Sequence, residues 1–166
     1  CFTKALINYR MKKKVLLILH LPQPIHGASI IGNYIKESIF INNTIDADFI
    51  NLSTSKSIKS IGSINFYKII HVLKLQAKVL THLFKKKYNL CYMTLTSSGS
   101  GFYKDLFIVL LLKLFNKKIV YHFHNKGIET NQHKFINNLL YKFAFKNSSV
   151  ILLSPALYND IKKYIP

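Results

Sequence analysis

Four histidines, a glycine–alanine–serine turn and a serine–glycine run carry the chemistry this sequence offers. Each group follows a short apolar stretch. His122 and His124 close the run that starts at Lys118, and Asn125, Lys126 and Gly127 come next. Residues two apart on a strand point the same way, so both imidazoles share a face and His124 lies nearer the carboxyl end. His20 and His26 belong to the segment after Val15–Leu19, which reads His20-Leu21-Pro22-Gln23-Pro24-Ile25-His26-Gly27-Ala28-Ser29. An imidazole can donate, accept or move a proton near neutral pH. Four of them could hold a metal, but no carboxylate or cysteine joins them and no zinc-type spacing is met, so a metal site is not expected.

The turns between these stretches could bind anions or hydroxyls. Gly27-Ala28-Ser29 stands where a strand gives way to a helix. Small residues there let a ligand approach the backbone, and a helix start offers free N–H groups and the positive end of a dipole. Ser29 is the expected N-cap. The competing reading is a turn and a cap with no ligand. Thr96-Ser97-Ser98-Gly99-Ser100-Gly101 repeats the form with hydroxyls, against the reading of a flexible polar connection. Asp105 lies one turn further on.

The elements that must position these groups alternate. Strands are predicted at Lys14–Leu19, Asp48–Leu52, Tyr88–Leu95, Lys118–Phe123 and Val150–Leu153. Helices are predicted at Ser29–Phe40, Ile64–Lys86, Phe102–Phe115 and Asn131–Phe145, and Pro155 opens a last one that ends near Tyr164. Ser53–Ser63 reads as a loop. Phe102–Phe115 is apolar enough to be buried. Continuous apolar strands alternating with helices predict an α/β fold, a Rossmann-like doubly wound parallel sheet. Ligands of such sheets bind outside the carboxyl ends of the strands, where all these polar groups fall. The dinucleotide fingerprint is missing, which disfavours a nicotinamide enzyme.

The long central helix carries an apolar stripe, Phe66, Ile69, Ile70, Leu73, Ala77, Leu80 and Phe84, expected to face the core. Its basic stripe, Lys68, His71, Lys78, His82 and Lys85, is extended by Lys86 and Lys87. Lys68, Lys78, Lys85, Lys86 and Lys87 are candidates to face anionic lipid.

The chain has 166 residues and 49% of them are hydrophobic, enough for one compact domain. Its 24 Lys+Arg outnumber 6 Asp+Glu, for a formal charge of +18. That points to nucleic acid, an anionic membrane or a phosphorylated substrate, with compositional bias as the plain alternative. Cys1 and Cys91 form no disulfide framework, and a reducing compartment is expected. The longest apolar run, Leu106–Leu112, is far shorter than the roughly 20 residues of a span. Residues 1–11, ending at Met11, are set aside as a leader or remnant.

Three segments together bring a family into view: Leu21–Ser29, Ser97-Ser98-Gly99-Ser100-Gly101 and Tyr121-His122-Phe123-His124-Asn125. Residues 12–166 resemble the N-terminal half of a bacterial family 4-like glycosyltransferase, one half of a GT-B fold. The resemblance implies two Rossmann-like domains about a cleft, with the acceptor on the N-terminal side and the nucleotide-sugar on the C-terminal side. It implies hexosyl transfer with retained anomeric configuration, with no metal and no cofactor beyond the nucleotide-sugar as co-substrate. Gly27 and Ala28 match the loop that contacts donor phosphates, with His26 where the family often has a first glycine. His124 matches the histidine that faces the transferred sugar, and His122 is the alternative. His26, Ser29, Ser97, Ser98, Ser100, Asn125 and Lys126 would line the acceptor side.

The expectation is thus the acceptor-binding half of a polysaccharide-biosynthesis enzyme, cytoplasmic and peripheral on the inner face of the membrane. It would act on a lipid-linked or cell-surface glycan and be inactive without the C-terminal donor domain, which these residues do not include. The alternative is a non-catalytic basic module binding nucleic acid or anionic membrane. No nucleic-acid motif is present, which makes nucleic acid the weaker partner.

Overall fold

The structure, a computed structural model, describes residues 12–53 and 66–165, without the side chains of 66–68. The set-aside leader, most of the Ser53–Ser63 loop and the side chain of Lys68 lie outside the described residues.

Five strands form one all-parallel sheet: β1 Lys13–Leu19, β2 Ile45–Asn51, β3 Leu90–Thr94, β4 Ile119–Phe123 and β5 Ser148–Leu152, in the order β2-β1-β3-β4-β5. The helices are α1 Gly27–Glu37, α2 Ile39–Thr44, α3 Phe66–Lys85, α4 Gly99–Leu114, α5 Ile128–Asn131, α6 Phe135–Phe145 and α7 Tyr158–Ile161. The Rossmann-like doubly wound sheet expected from the sequence is the fold. Strand order reverses between β1 and β3, so the crevice of such a sheet opens at their carboxyl ends.

Strands β1, β2 and β3 alternate between two cores, while β4 contributes to the first alone. On one face Leu16, Ile18, Ile50, Cys91, Met93, Ile119, Tyr121 and Phe123 pack against α3, α4 and α6. On the other, Val15, Leu17 and Leu19 pack with Tyr92, Phe49 and Ile35 of α1. Burial pushes the Cys91 thiol up to about 12, so it behaves as a small apolar residue.

Several boundaries differ from the sequence reading, each for a local reason. The Ser29–Phe40 helix is two, because Ser38 leaves helical geometry and its hydroxyl accepts from the Ile41 N–H at 3.3 Å to start α2. Helix α1 begins at Gly27 with His26 at the cap position, so Ser29 is not the N-cap but sits in the first turn. Helix α4 starts three residues early, and Asn131–Phe145 splits into α5 and α6. Strand β2 is longer than Asp48–Leu52 because all seven of its residues pair with β1.

The face of α3 is also corrected. Leu75, Val79 and Leu83 enter the core, while Ile69, Leu73 and Phe84 of the stripe assigned to it are exposed. The sequence holds two apolar stripes at helical spacing, and only the sheet decides between them. Helix α4 is not buried on all sides: Phe102, Ile108, Val109 and Leu112 are inside, but Tyr103, Phe107, Leu110 and Leu114 are exposed.

Candidate functional site

The turn after β1 is built by Ser29. Its fully buried hydroxyl accepts from the His26 N–H at 2.9 Å and lies 2.9 Å from the Pro24 and His26 carbonyls, to either of which it can donate. The hydroxyl is therefore engaged in shaping the loop. The Ser29 and Ile30 N–H groups go to the His26 carbonyl, at 2.9 and 3.0 Å. Helix geometry leaves the Gly27 and Ala28 N–H groups without an intrahelical acceptor. Gly27 is exposed, and a Cβ there would meet nothing within 4 Å. Gly32, one turn on, is the opposite: its Cβ would lie 2.0 Å from the His20 carbonyl oxygen. That close approach locks α1 to the end of β1.

The histidines converge. His20 and His26 meet edge-on, centroids 5.3 Å apart, and His122 and His124 lie 4.1 Å apart. His26 is near enough to His124, and His124 to His20, for the charge of each to disfavour protonation of the other ring. Burial, then Lys104, His26 and His124, push His20 down to about 3. Burial, then His122 and His26, push His124 down to about 4. Burial also lowers His26 and His122. All four shifts favour the neutral ring. His122 is held by the Tyr92 hydroxyl at its Nδ1. The Nδ1 of His124 is buried and has no partner among the described residues. A neutral imidazole with a free nitrogen can take a hydrogen bond from, or give one to, a ligand hydroxyl.

The serine loop and the loop after β4 interlock. Ser97 is fully buried; its hydroxyl donates to the Lys126 carbonyl at 2.7 Å, and its own carbonyl accepts from the Tyr141 hydroxyl at 2.8 Å. Ser97 is thus a tie between loops rather than a free ligand contact. Gly127, at φ 147°, packs so closely that a Cβ would lie 2.5 Å from the Ser98 hydroxyl. Ser98 is half-buried, while Ser100, Asn125 and Lys126 are exposed past the strand ends. The Asp160 carboxylate accepts from the Gly127, Ile128 and Glu129 N–H groups at 3.0–3.1 Å, fixing the loop from below.

Two residues of the rim were not singled out as site residues in the sequence. The Lys104 side chain is only 14% exposed; its ammonium donates to the Leu52 carbonyl at 3.1 Å and faces Asp105 Oδ1 at 3.3 Å without hydrogen-bond geometry. Asp105 is fully buried and accepts from the Thr96 N–H at 3.0 Å. The signal was present, since adjacent Lys and Asp one turn into a helix at the carboxyl rim set a charged pair beside the strand ends. Among the described residues no group of three or more His, Cys, Asp or Glu side chains is arranged to hold a metal.

The lysines assigned to a membrane are not all unpaired. Lys78, Lys85 and Lys87 are exposed, but Lys86 bonds both oxygens of Asp48, at 2.7 and 2.9 Å. Against known proteins, the chain matches no protein-family model, no curated protein and no solved structure.

Proposed function

We propose that this chain is the acceptor-side half of a retaining glycosyltransferase, which moves a hexosyl group from a nucleotide-sugar to a lipid-linked or cell-surface glycan. The observation that carries the reading is the unpartnered, buried Nδ1 of His124, set among neutral imidazoles beside the open first turn of α1. In this reading the Gly27 and Ala28 N–H groups receive a donor phosphate, favoured by the helix dipole. The His124 ring meets a hydroxyl of the transferred sugar, with His122 steadied behind it by Tyr92. His26, Ser98, Ser100, Asn125 and Lys126 receive the acceptor, while Ser29 and Ser97 hold their loops in shape. No metal enters the scheme.

An amide NMR titration with millimolar nucleotide-sugar tests the proposal. We expect weak binding, with shifts at Gly27, Ala28 and the His124 ring. Shifts confined to other regions, or none at all, would overturn it.

A further inference from the structure

We propose that the outward face of α4 and α6, flanked by α3, is a docking surface for an anionic lipid membrane. The inference stands independently of sugar transfer. A helix that is apolar all round is ordinarily enclosed. Helix α4 is enclosed on one side only. Its outer stripe, Tyr103, Phe107, Leu110 and Leu114, steps by four, three and four residues; Phe107 is 58% and Leu114 70% exposed.

Helix α6 continues this surface. Phe135, 75% exposed, stands with Ile136, Leu139 and Phe143 on its outer side. The two helices are fixed to each other: the Tyr103 hydroxyl donates to Asn137 at 2.8 Å, and the Lys113 ammonium lies 5.4 Å from the Phe143 ring centre. Between them opens an apolar cleft of about 220 Å³, lined by Leu106, Phe107, Leu110, Leu140 and Phe143. At the far end Phe84 of α3 meets Phe115 edge-on, centroids 4.9 Å apart. Exposed apolar surface on this scale marks a contact.

Charge names the occupant. Helices α3, α4 and α6 contain one carboxylate, Asp105, and it is fully buried. The other five, Glu37, Asp46, Asp48, Glu129 and Asp160, lie on other elements. Lys74, Lys78 and Lys85 on α3 and Lys142 on α6 are exposed. The surface is therefore a Phe/Leu/Ile ridge bordered by cations and free of exposed anions, the complement of an anionic bilayer interface. A second copy would bring the same positive charge against it. A nucleic-acid groove requires cations along a backbone track and isolated stacking rings, not a ridge rich in Leu and Ile. No helix among the described residues is long and apolar enough to cross a membrane, so the contact is interfacial.

Co-sedimentation of the chain with vesicles of phosphatidylcholine, alone or doped with phosphatidylglycerol, tests this. The double variant Phe107→Asn, Leu114→Gln changes outward side chains only, and circular dichroism should confirm its fold. We expect binding to the anionic vesicles, a drop of about tenfold or more in partitioning for that variant, and a similar drop for Lys74→Glu, Lys78→Glu. Overturning results are no vesicle binding by the parent chain, unchanged binding by the apolar variant, or binding to single-stranded or duplex DNA in place of vesicles. Self-association of the parent chain that the apolar variant abolishes, without vesicle binding, would give the face to a second copy.

Discussion

Gly27 and Gly32 are best understood by what a methyl group at each would meet. Gly32 faces a backbone carbonyl that cannot retreat without moving β1, because a Cβ would lie 2.0 Å from the His20 oxygen. Gly32→Ala should cost about 2 kcal/mol or more in urea unfolding. Gly27 faces open space, so Gly27→Ala should leave stability within about 0.5 kcal/mol of the parent. Equal effects of the two substitutions would contradict this contrast. The pair also separates folding from binding, since a ligand response lost in Gly27→Ala cannot be blamed on the fold. At this scale the sequence was informative about which residues reach the rim. His124, Gly27 and Ser98 were legible because each follows a strand. Which of them are free was not legible. Ser29 and Ser97 spend their hydroxyls on carbonyls several residues away along the chain or in another loop. Those partners are set by tertiary contact, not by spacing.

Among the elements, strand and helix order was legible in the alternation of short apolar runs with longer periodic ones. The facing of helices was not, because α3 and α4 carry more apolar residues than one side can bury. The sheet selects Leu75, Val79 and Leu83 on α3 and leaves the rest outside. The loop after β4 shows a second kind of dependence. Three N–H groups at the start of α5 share one acceptor, the carboxylate of Asp160 on α7. Asp160→Ala would strip those donors of their partner in a place water barely reaches. The expected loss is about 3 kcal/mol in urea unfolding, with Asp160→Asn milder because one oxygen remains. A loss within about 0.5 kcal/mol for Asp160→Ala would show that water or another group replaces the carboxylate.

The whole molecule carries a formal charge of +18, and its fold favours the neutral form of four of its histidines. An unfolded chain would protonate them below about pH 6.5. The folded chain resists until about 4 for His124 and about 3 for His20. The unfolded state therefore binds more protons across this window, and stability falls as pH drops through it. His20 alone gives a slope of up to about 1.4 kcal/mol per pH unit; the more exposed His26 gives less. Burial works against ionised Asp48, but hydrogen bonds from Lys86 and Tyr88 outweigh it and hold the carboxyl below its usual range, which adds a loss at the acid end. Urea midpoints measured from pH 7 to pH 4 check this; a flat profile would mean that the cluster is hydrated and free to charge.

The Asp160 carboxylate has a consequence in time as well as in space. It lies more than thirty residues after the loop it fastens, so on a growing chain the donors of Gly127, Ile128 and Glu129 emerge first and wait. The His124 side of the crevice is thus finished by nearly the last residues described, and a ribosome stalled before residue 160 would hold a sheet whose rim is not yet set.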